Sequence, residues 1–158
     1  NNRKRNDTYA EKPCNCRDKS NCPLEGRCQV QSVVYKATVQ SNSTAVTREY
    51  FGLTEPPFKQ RYANHLVSFR HEKYNNRTEL SKHVWDLKRR NENFTIKWSI
   101  ADKARAYSNV SKRCNLCTTE KLRIITAEKP QCLNARCEIV SKCRHANKYC
   151  LQNFSPNG

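Results

Sequence analysis

The chain contains no methionine, little apolar material and few acids for its bases. No run approaches the roughly 18 apolar residues that cross a membrane, which argues against a helical span and a membrane partner. The opening residues, Asn1 to Asn6, are polar and basic, without the apolar stretch of a signal peptide. Lacking even one methionine, the chain is expected to be an excised piece of a longer protein. Only 36% of its 158 residues are hydrophobic, so the core is thin for the length. There is neither an internal repeat nor a low-complexity tract.

What is abundant is positive charge and cysteine. Thirty Lys and Arg against 14 Asp and Glu give a net charge of +16. That exceeds what solubility asks for and predicts an anionic partner, nucleic acid first. Ten cysteines would stiffen a chain that buries too little apolar surface. An even count and six N-x-S/T sequons, at Asn6, Asn42, Asn76, Asn93, Asn109 and Asn153, fit a secreted disulfide protein. The close pairs Cys14-Asn15-Cys16 and Cys114-Asn115-Leu116-Cys117 fit zinc better, because adjacent thiolates suit one ion. Cys14, Cys16, Cys22 and Cys28 could close a four-thiolate site. A rival set joins Cys22 and Cys28 to His65 and His83. A second site would join Cys114 and Cys117 to Cys143 and His145. Cys132, Cys137 and Cys150 remain unassigned, and spacing alone does not choose between the sets.

Periodicity predicts an α+β fold. Residues 1–13 read as a disordered basic lead-in and 14–31 as a cysteine knuckle. Residues 32–39 alternate as a strand, with Val33, Tyr35, Ala37 and Val39 on one face, and 46–53 return. Pro56-Pro57 opens a helix from Phe58 to Glu72 with Phe58, Tyr62, Leu66 and Phe69 as its apolar stripe. A second helix spans Glu79 to Arg90, with Leu80, Val84 and Leu87 inward. Phe94 to Ile100 is a third strand, with Phe94, Ile96 and Trp98 on one side. Lys112 to Ala127 is a third helix whose Leu116, Leu122 and Ile125 would pack on the sheet. The expected product is a small domain with a three-stranded, mainly antiparallel sheet flanked by helices.

Several residues on these elements suit phosphodiester hydrolysis, which needs an activated water, a cation near the phosphoryl oxygens and help for the leaving oxygen. Tyr35 and Tyr50 fall on paired strands. Tyrosine serves as a general base if a nearby cation lowers its pKa of about 10. Arg61 and His65, four apart, share a helix face, and a guanidinium fork fits a phosphate. Glu120 on the third helix offers the hard oxygen that Mg²⁺ prefers. Each also has a plain reading: sheet-packing tyrosines, a solvated basic face and a surface carboxylate.

Order and spacing change the weight of these residues. Val33-Val34-Tyr35, Tyr50-Phe51-Gly52, Arg61 with His65, Thr119-Glu120-Lys121-Leu122-Arg123-Ile124-Ile125 and Leu133-Asn134 together resemble the GIY-YIG nucleases over residues 33–134. Valine stands at the glycine position of the first motif, and the stretch between the tyrosines is longer than the family's. Cys-Asn-Cys-Arg at 14, Cys-Pro-Leu-Glu-Gly-Arg-Cys at 22, Glu-Leu-Ser-Lys-His-Val-Trp-Asp-Leu-Lys at 79, Lys-Arg-Cys-Asn-Leu-Cys at 112 and Cys-Arg-His at 143 extend the likeness over 14–150. They resemble the endonuclease domain of Penelope-like retroelements. The resemblance implies a nuclease domain over 32–158 with a cysteine-rich tail, fused after a reverse transcriptase. It implies one catalytic Mg²⁺ or Mn²⁺ held by Glu120 and Tyr35 as base. Arg61 would bind the phosphate, Tyr50 and His65 would orient water or phosphate, and Asn134 would brace the site. Structural zinc, DNA and element RNA as partners, a 3′-hydroxyl nick that primes reverse transcription, and a nuclear location complete the expectation. A non-catalytic zinc-dependent nucleic-acid module and a secreted, disulfide-bonded basic glycoprotein are the competing functions.

Overall fold

The structure, a computed structural model, describes residues 11–106, 114–135, 143 and 145. Three strands, β1 (Val33–Ser41), β2 (Thr47–Thr54) and β3 (Phe94–Lys103), and three helices, α1 (Phe58–Arg70), α2 (Glu79–Arg89) and α3 (Asn115–Thr126), follow the order β1-β2-α1-α2-β3-α3. Short 3-10 turns occupy Lys19–Asn21 and Glu72–Tyr74. The fold is α+β, and its sheet has the order β2-β1-β3, antiparallel throughout. No described helix is long and apolar enough to cross a membrane.

The two-residue period of β1 explains the layers. Val33, Tyr35, Ala37 and Val39 point to one face, all at most 1% exposed. There they meet Phe58 and Phe69 of α1, and Leu80, Val84 and Leu87 of α2. Val34 points the other way, into a smaller cluster with Phe51, Leu116 and Ile124. The start of β1 is therefore buried on both faces, and alternation appears only past Tyr35, where the second face becomes half-open. A bulge between Val34 and Tyr35 lets β3 supply an extra residue at Ala101.

The knuckle is built into the main core. Its Leu24 and Val30 join the large apolar cluster. The turn at Glu25-Gly26 places both residues at positive φ, Gly26 at 95°, where a side chain is strained. Pro57 provides no side-chain cap for α1. Instead the carbonyls of Val30 and Cys28 accept the N–H groups of Phe58 (2.9 Å) and Lys59 (2.8 Å). α2 begins with Thr78, whose hydroxyl accepts the Ser81 N–H at 3.0 Å.

Most expected elements appear within one to three residues of their predicted ends. The first helix ends at Arg70 rather than Glu72, giving way to the 3-10 turn. The third begins at Asn115, because Cys114 is its N-cap. Its packing differs from expectation. Leu122 and Ile125 are 59% and 36% exposed, and Ile124 takes the inward place. The inward stripe is Leu116, Glu120, Ile124, spaced by four, and so a carboxylate occupies its middle. Glu11, at the end of the expected lead-in, pairs with Arg27 and Lys103. Residues 1–10 of that lead-in, Lys112, the sequons at Asn6, Asn109 and Asn153, and Cys137 and Cys150 lie outside the described residues.

Candidate active site and its cysteine clusters

The register of β1 and β2 sets Tyr35 opposite Gly52 and Ala37 opposite Tyr50, so both tyrosines share the α1 face. Arg61 and His65 descend from α1 onto them. The Tyr35 hydroxyl lies 2.8 Å from His65 Nε2 and accepts the Arg61 Nε–H at 3.0 Å. Tyr50 packs edge-on against the His65 ring, with centroids 6.0 Å apart. Trp98 of β3 closes the other side, 5.3 Å from the His65 ring and 5.9 Å from that of Tyr35. Gly52 is required here: a Cβ at this position would lie 2.5 Å from Tyr35 Cζ and closer still to its hydroxyl.

Burial sets the charges. It raises the pKa of both phenols, and the Arg61 guanidinium beside them works against that rise. His65, 2% exposed, is held down to about 3 by burial and by the Arg61 charge, so it is neutral in the physiological range. A neutral imidazole carries one N–H. With that hydrogen on Nε2, His65 and Arg61 both donate to the Tyr35 oxygen and favour its phenolate. With it on Nδ1, Tyr35 donates to His65. Arg61 keeps its charge: burial opposes it, and its two phenol neighbours outweigh the burial.

Glu120 approaches from α3. Burial raises its pKa, while Lys121 and Arg61 pull it down. Its charge is felt at both Tyr35 and Tyr50. No hydrogen bond or ion pair within 4 Å engages it among the described residues. A half-buried carboxylate in that state fits a hard cation that keeps water and phosphate oxygens as its remaining ligands.

Asn134 braces an edge. Its Oδ1 accepts the Phe51 N–H and its Nδ2 donates to the Phe51 carbonyl, both at 2.8 Å. The main chain continues the pattern: Glu49 N–H to Gln131 O and Leu133 N–H to Glu49 O, each 2.7 Å. Residues 131–134 thus extend the sheet along the free side of β2, beside Tyr50.

Among the described residues two groups could hold a metal ion, one of four thiols and one of three thiols and an imidazole. The ligand atoms of Cys14, Cys16, Cys22 and Cys28 all fall within 4.8 Å of one another, as do those of Cys114, Cys117, Cys143 and His145. Sulfur separations of 3.7 Å (Cys16–Cys28), 3.5 Å (Cys14–Cys28) and 3.4 Å (Cys117–Cys143) are those of ligands on a shared ion. A tetrahedral zinc with 2.3 Å bonds sets its sulfurs about 3.8 Å apart. His145 Nδ1 stands 3.3–3.7 Å from the three sulfurs of its group. The eight described cysteines are free thiols. In the first group, burial opposes ionisation of Cys22, but N–H donors from Leu24 and Gly26 bring it to about 7. Burial and its sulfur neighbours push Cys28 up to about 12. A bound cation would lower every one of these values.

The rival set of Cys22, Cys28, His65 and His83 is not assembled. His65 faces Tyr35, and His83, on α2, lies among Arg48, Arg90, Asp86 and Glu92. Two residues escaped the sequence reading. Gly52 was visible only as part of a motif, and its need appears once the register puts Tyr35 above it. Glu55 gives no sequence signal: its carboxylate lies 3.6 Å from Nε2 of His145, 90 positions along the chain. Compared with protein-family models, curated proteins and solved structures, the chain matches none.

Proposed function

We propose that this chain is a metal-dependent DNA endonuclease of the GIY-YIG kind, resembling the endonuclease domain of Penelope-like retroelements. The observation that carries the reading is the Tyr35 hydroxyl, held between Arg61 and His65 above a glycine that no other residue could replace without moving it. A buried tyrosine that merely packs needs one hydrogen-bond partner, whereas this hydroxyl has two, one of them a guanidinium, and lies over a position that only glycine fits. Zinc in the two cysteine groups holds the scaffold.

The residues divide the work by charge and reach. Arg61, half-exposed, presents its guanidinium to the scissile phosphate. Tyr35 would take the proton of the attacking water as its phenolate, the form that Arg61 favours against the burial that raises its pKa. Tyr50, beside Arg61, orients water or phosphate. Glu120 would hold Mg²⁺ or Mn²⁺, which supplies charge stabilisation for the phosphoryl and leaving oxygens. Asn134 fixes the strand edge next to Tyr50. The nick leaves a 3′-hydroxyl, which a fused reverse transcriptase extends in the nucleus, with element RNA as its template.

One observation favours a second reading, a non-catalytic zinc-dependent module that positions a larger protein on nucleic acid. Tyr35 is 0% exposed, so water meets its oxygen only if Arg61 or His65 shifts. Plasmid nicking with Mg²⁺ or Mn²⁺ separates the two. The nuclease reading expects nicking by the wild type and its loss in Glu120→Gln, with DNA binding retained. DNA binding without metal-dependent nicking would leave the second reading, and undiminished nicking by Glu120→Gln would remove the metal role of that carboxylate.

A further inference from the structure

The connector between α1 and α2, with Arg70 at its start, carries three exposed cations, two of them over the half-buried ring of Tyr74. The Arg77 guanidinium lies 3.9 Å from the Tyr74 centroid and Lys73 Nζ 4.9 Å from it. Arg70 closes α1 just before them. The only acid of this segment, Glu72, is 3.3 Å from Arg89 of α2. Among the described residues Arg70, Lys73 and Arg77 make no ion pair. Lys36, Lys82, Arg90, Lys103 and Arg123 each have a carboxylate within 4 Å, whereas Lys97 and Lys121, like the connector's cations, have none among the described residues. The connector is therefore a place where charge is ordered without being cancelled. A ring face restrains a cation but does not neutralise it. Restraint before binding lowers the entropy lost when an anion arrives.

We infer that this connector is a second nucleic-acid contact, gripping the phosphate backbone that flanks the cut. The inference rests on the DNA-cutting reading above. Nine residues of helix separate Arg61 from Arg70, about 14 Å at 1.5 Å per residue. That is about four base steps of a duplex lying along α1. The partner is a phosphate backbone, because three cations stand in one short exposed segment against a single acid, Glu72, that is already paired with Arg89.

The plainer alternative gives Lys73 and Arg77 the task of covering Tyr74, and it moves stability rather than binding. The experiment titrates salt against binding of a short fluorescent duplex of unrelated sequence. The variant combines Arg70→Ala, Lys73→Ala and Arg77→Ala. Its control is Lys82→Ala, whose ammonium is already 2.8 Å from Glu79. Three lost phosphate contacts, at about 0.9 each, make the log–log salt slope shallower by about 2–3. The control keeps the wild-type slope, and nicking at saturating DNA persists in both. If the triple variant fails to fold, the single variants replace it, each lowering the slope by about 1. A steep wild-type slope that the variants leave unchanged overturns the connector alone, whatever happens to the melting temperature. A wild type that binds DNA without salt dependence overturns the DNA reading and the connector with it.

Discussion

The two faces of the sheet are built from the same parts in different proportion. On one face a cysteine group drawn from residues 14–28 abuts the start of α1, which brings Arg61 and His65 to the tyrosines. On the other a group drawn from residues 114–145 forms the start of α3, which brings Glu120. The first face has a large apolar cluster beneath it, the second a small one. Loop closure hardly distinguishes the groups, since doubling the loop costs only about 0.6 kcal/mol. The difference lies in what else holds each helix. Without a metal, α1 still has Phe58, Phe69 and the whole of α2. Without one, α3 has the smaller set of Leu116, Ile124, the Leu116 N–H bond to Arg105 and the Arg123–Asp102 pair. Yet the first knuckle contributes Leu24 and Val30 to the main core, so its loss reaches further.

The strongest way to break this comparison is to remove one ligand from each group. Cys28 is fully buried between Cys14 and Cys16. Cys28→Ser should release zinc and unfold the main core, with loss of the cooperative thermal transition, because metal binding in such sites is folding free energy. Cys117→Ser should release zinc from the second group and free α3, while near-ultraviolet dichroism from Tyr35, Tyr50 and Trp98 persists. DNA binding should survive in Cys117→Ser, and nicking should not. Equal collapse in both variants would make the sheet a single cooperative unit and end the distinction.

A second test addresses the first face alone and depends on pH. The folded pKa of His65, about 3, lies below its ordinary 6.5. Above pH 6.5 both folded and unfolded chains leave it neutral, so it costs nothing. As pH falls below 6.5 the unfolded chain takes a proton that the folded one refuses, and stability drops until the folded pKa is passed. Between pH 6.5 and 5 the loss is about 2 kcal/mol at 1.36 kcal/mol per unit. Urea unfolding of zinc-loaded wild type and His65→Gln should therefore differ in pH slope over that window, the variant being shallower by about that amount. Parallel slopes would mean that His65 accepts its proton in the folded state and is not sealed under Trp98 and Tyr50.

How much of this was legible in the sequence follows the same division. β1 and α2 were readable because one face of each is apolar at a regular period: Val33, Tyr35, Ala37, Val39, and Leu80, Val84, Leu87. α3 misled because its inward stripe runs Leu116, Glu120, Ile124. The half-buried carboxylate of Glu120 breaks the apolar period, and Leu122 and Ile125 supplied a false one. The tyrosines, Arg61, His65, Glu120 and Asn134 were singled out by order and spacing, and the structure brings Tyr35, Tyr50, Arg61 and His65 together. What each touches was not legible. Pattern gives faces and spacing, whereas the pairing of Tyr35 with His65, or of Asn134 with the Phe51 main chain, depends on contacts 30 and 83 positions apart. The same limit hid the choice between zinc sets, which the structure resolves in favour of four local thiols because His65 is engaged by Tyr35.

The smallest expected effect concerns the link between the two faces. Glu55 ends the β2 turn into α1, its main-chain oxygen accepting the Ser32 N–H at 3.1 Å. Its carboxylate lies 3.6 Å from His145 Nε2, while Nδ1 of the same ring faces the three sulfurs. A metal-bound imidazole commonly turns its other N–H toward a carboxylate, which fixes the tautomer and strengthens the ligand. Glu55 would thereby tie the second cysteine group to the strand of Tyr50 and to the helix of Arg61. Glu55→Gln keeps the shape and removes the charge. It should weaken zinc at the second site by roughly 10-fold, at the low end for such outer partners because the pair is long and partly exposed. The first site should be unaffected. Chelator competition on the whole chain reads both sites as separate zinc-release steps, and Cys117→Ser identifies which step belongs to the second. A Glu55→Gln variant with both steps unmoved would leave the faces joined by the sheet alone.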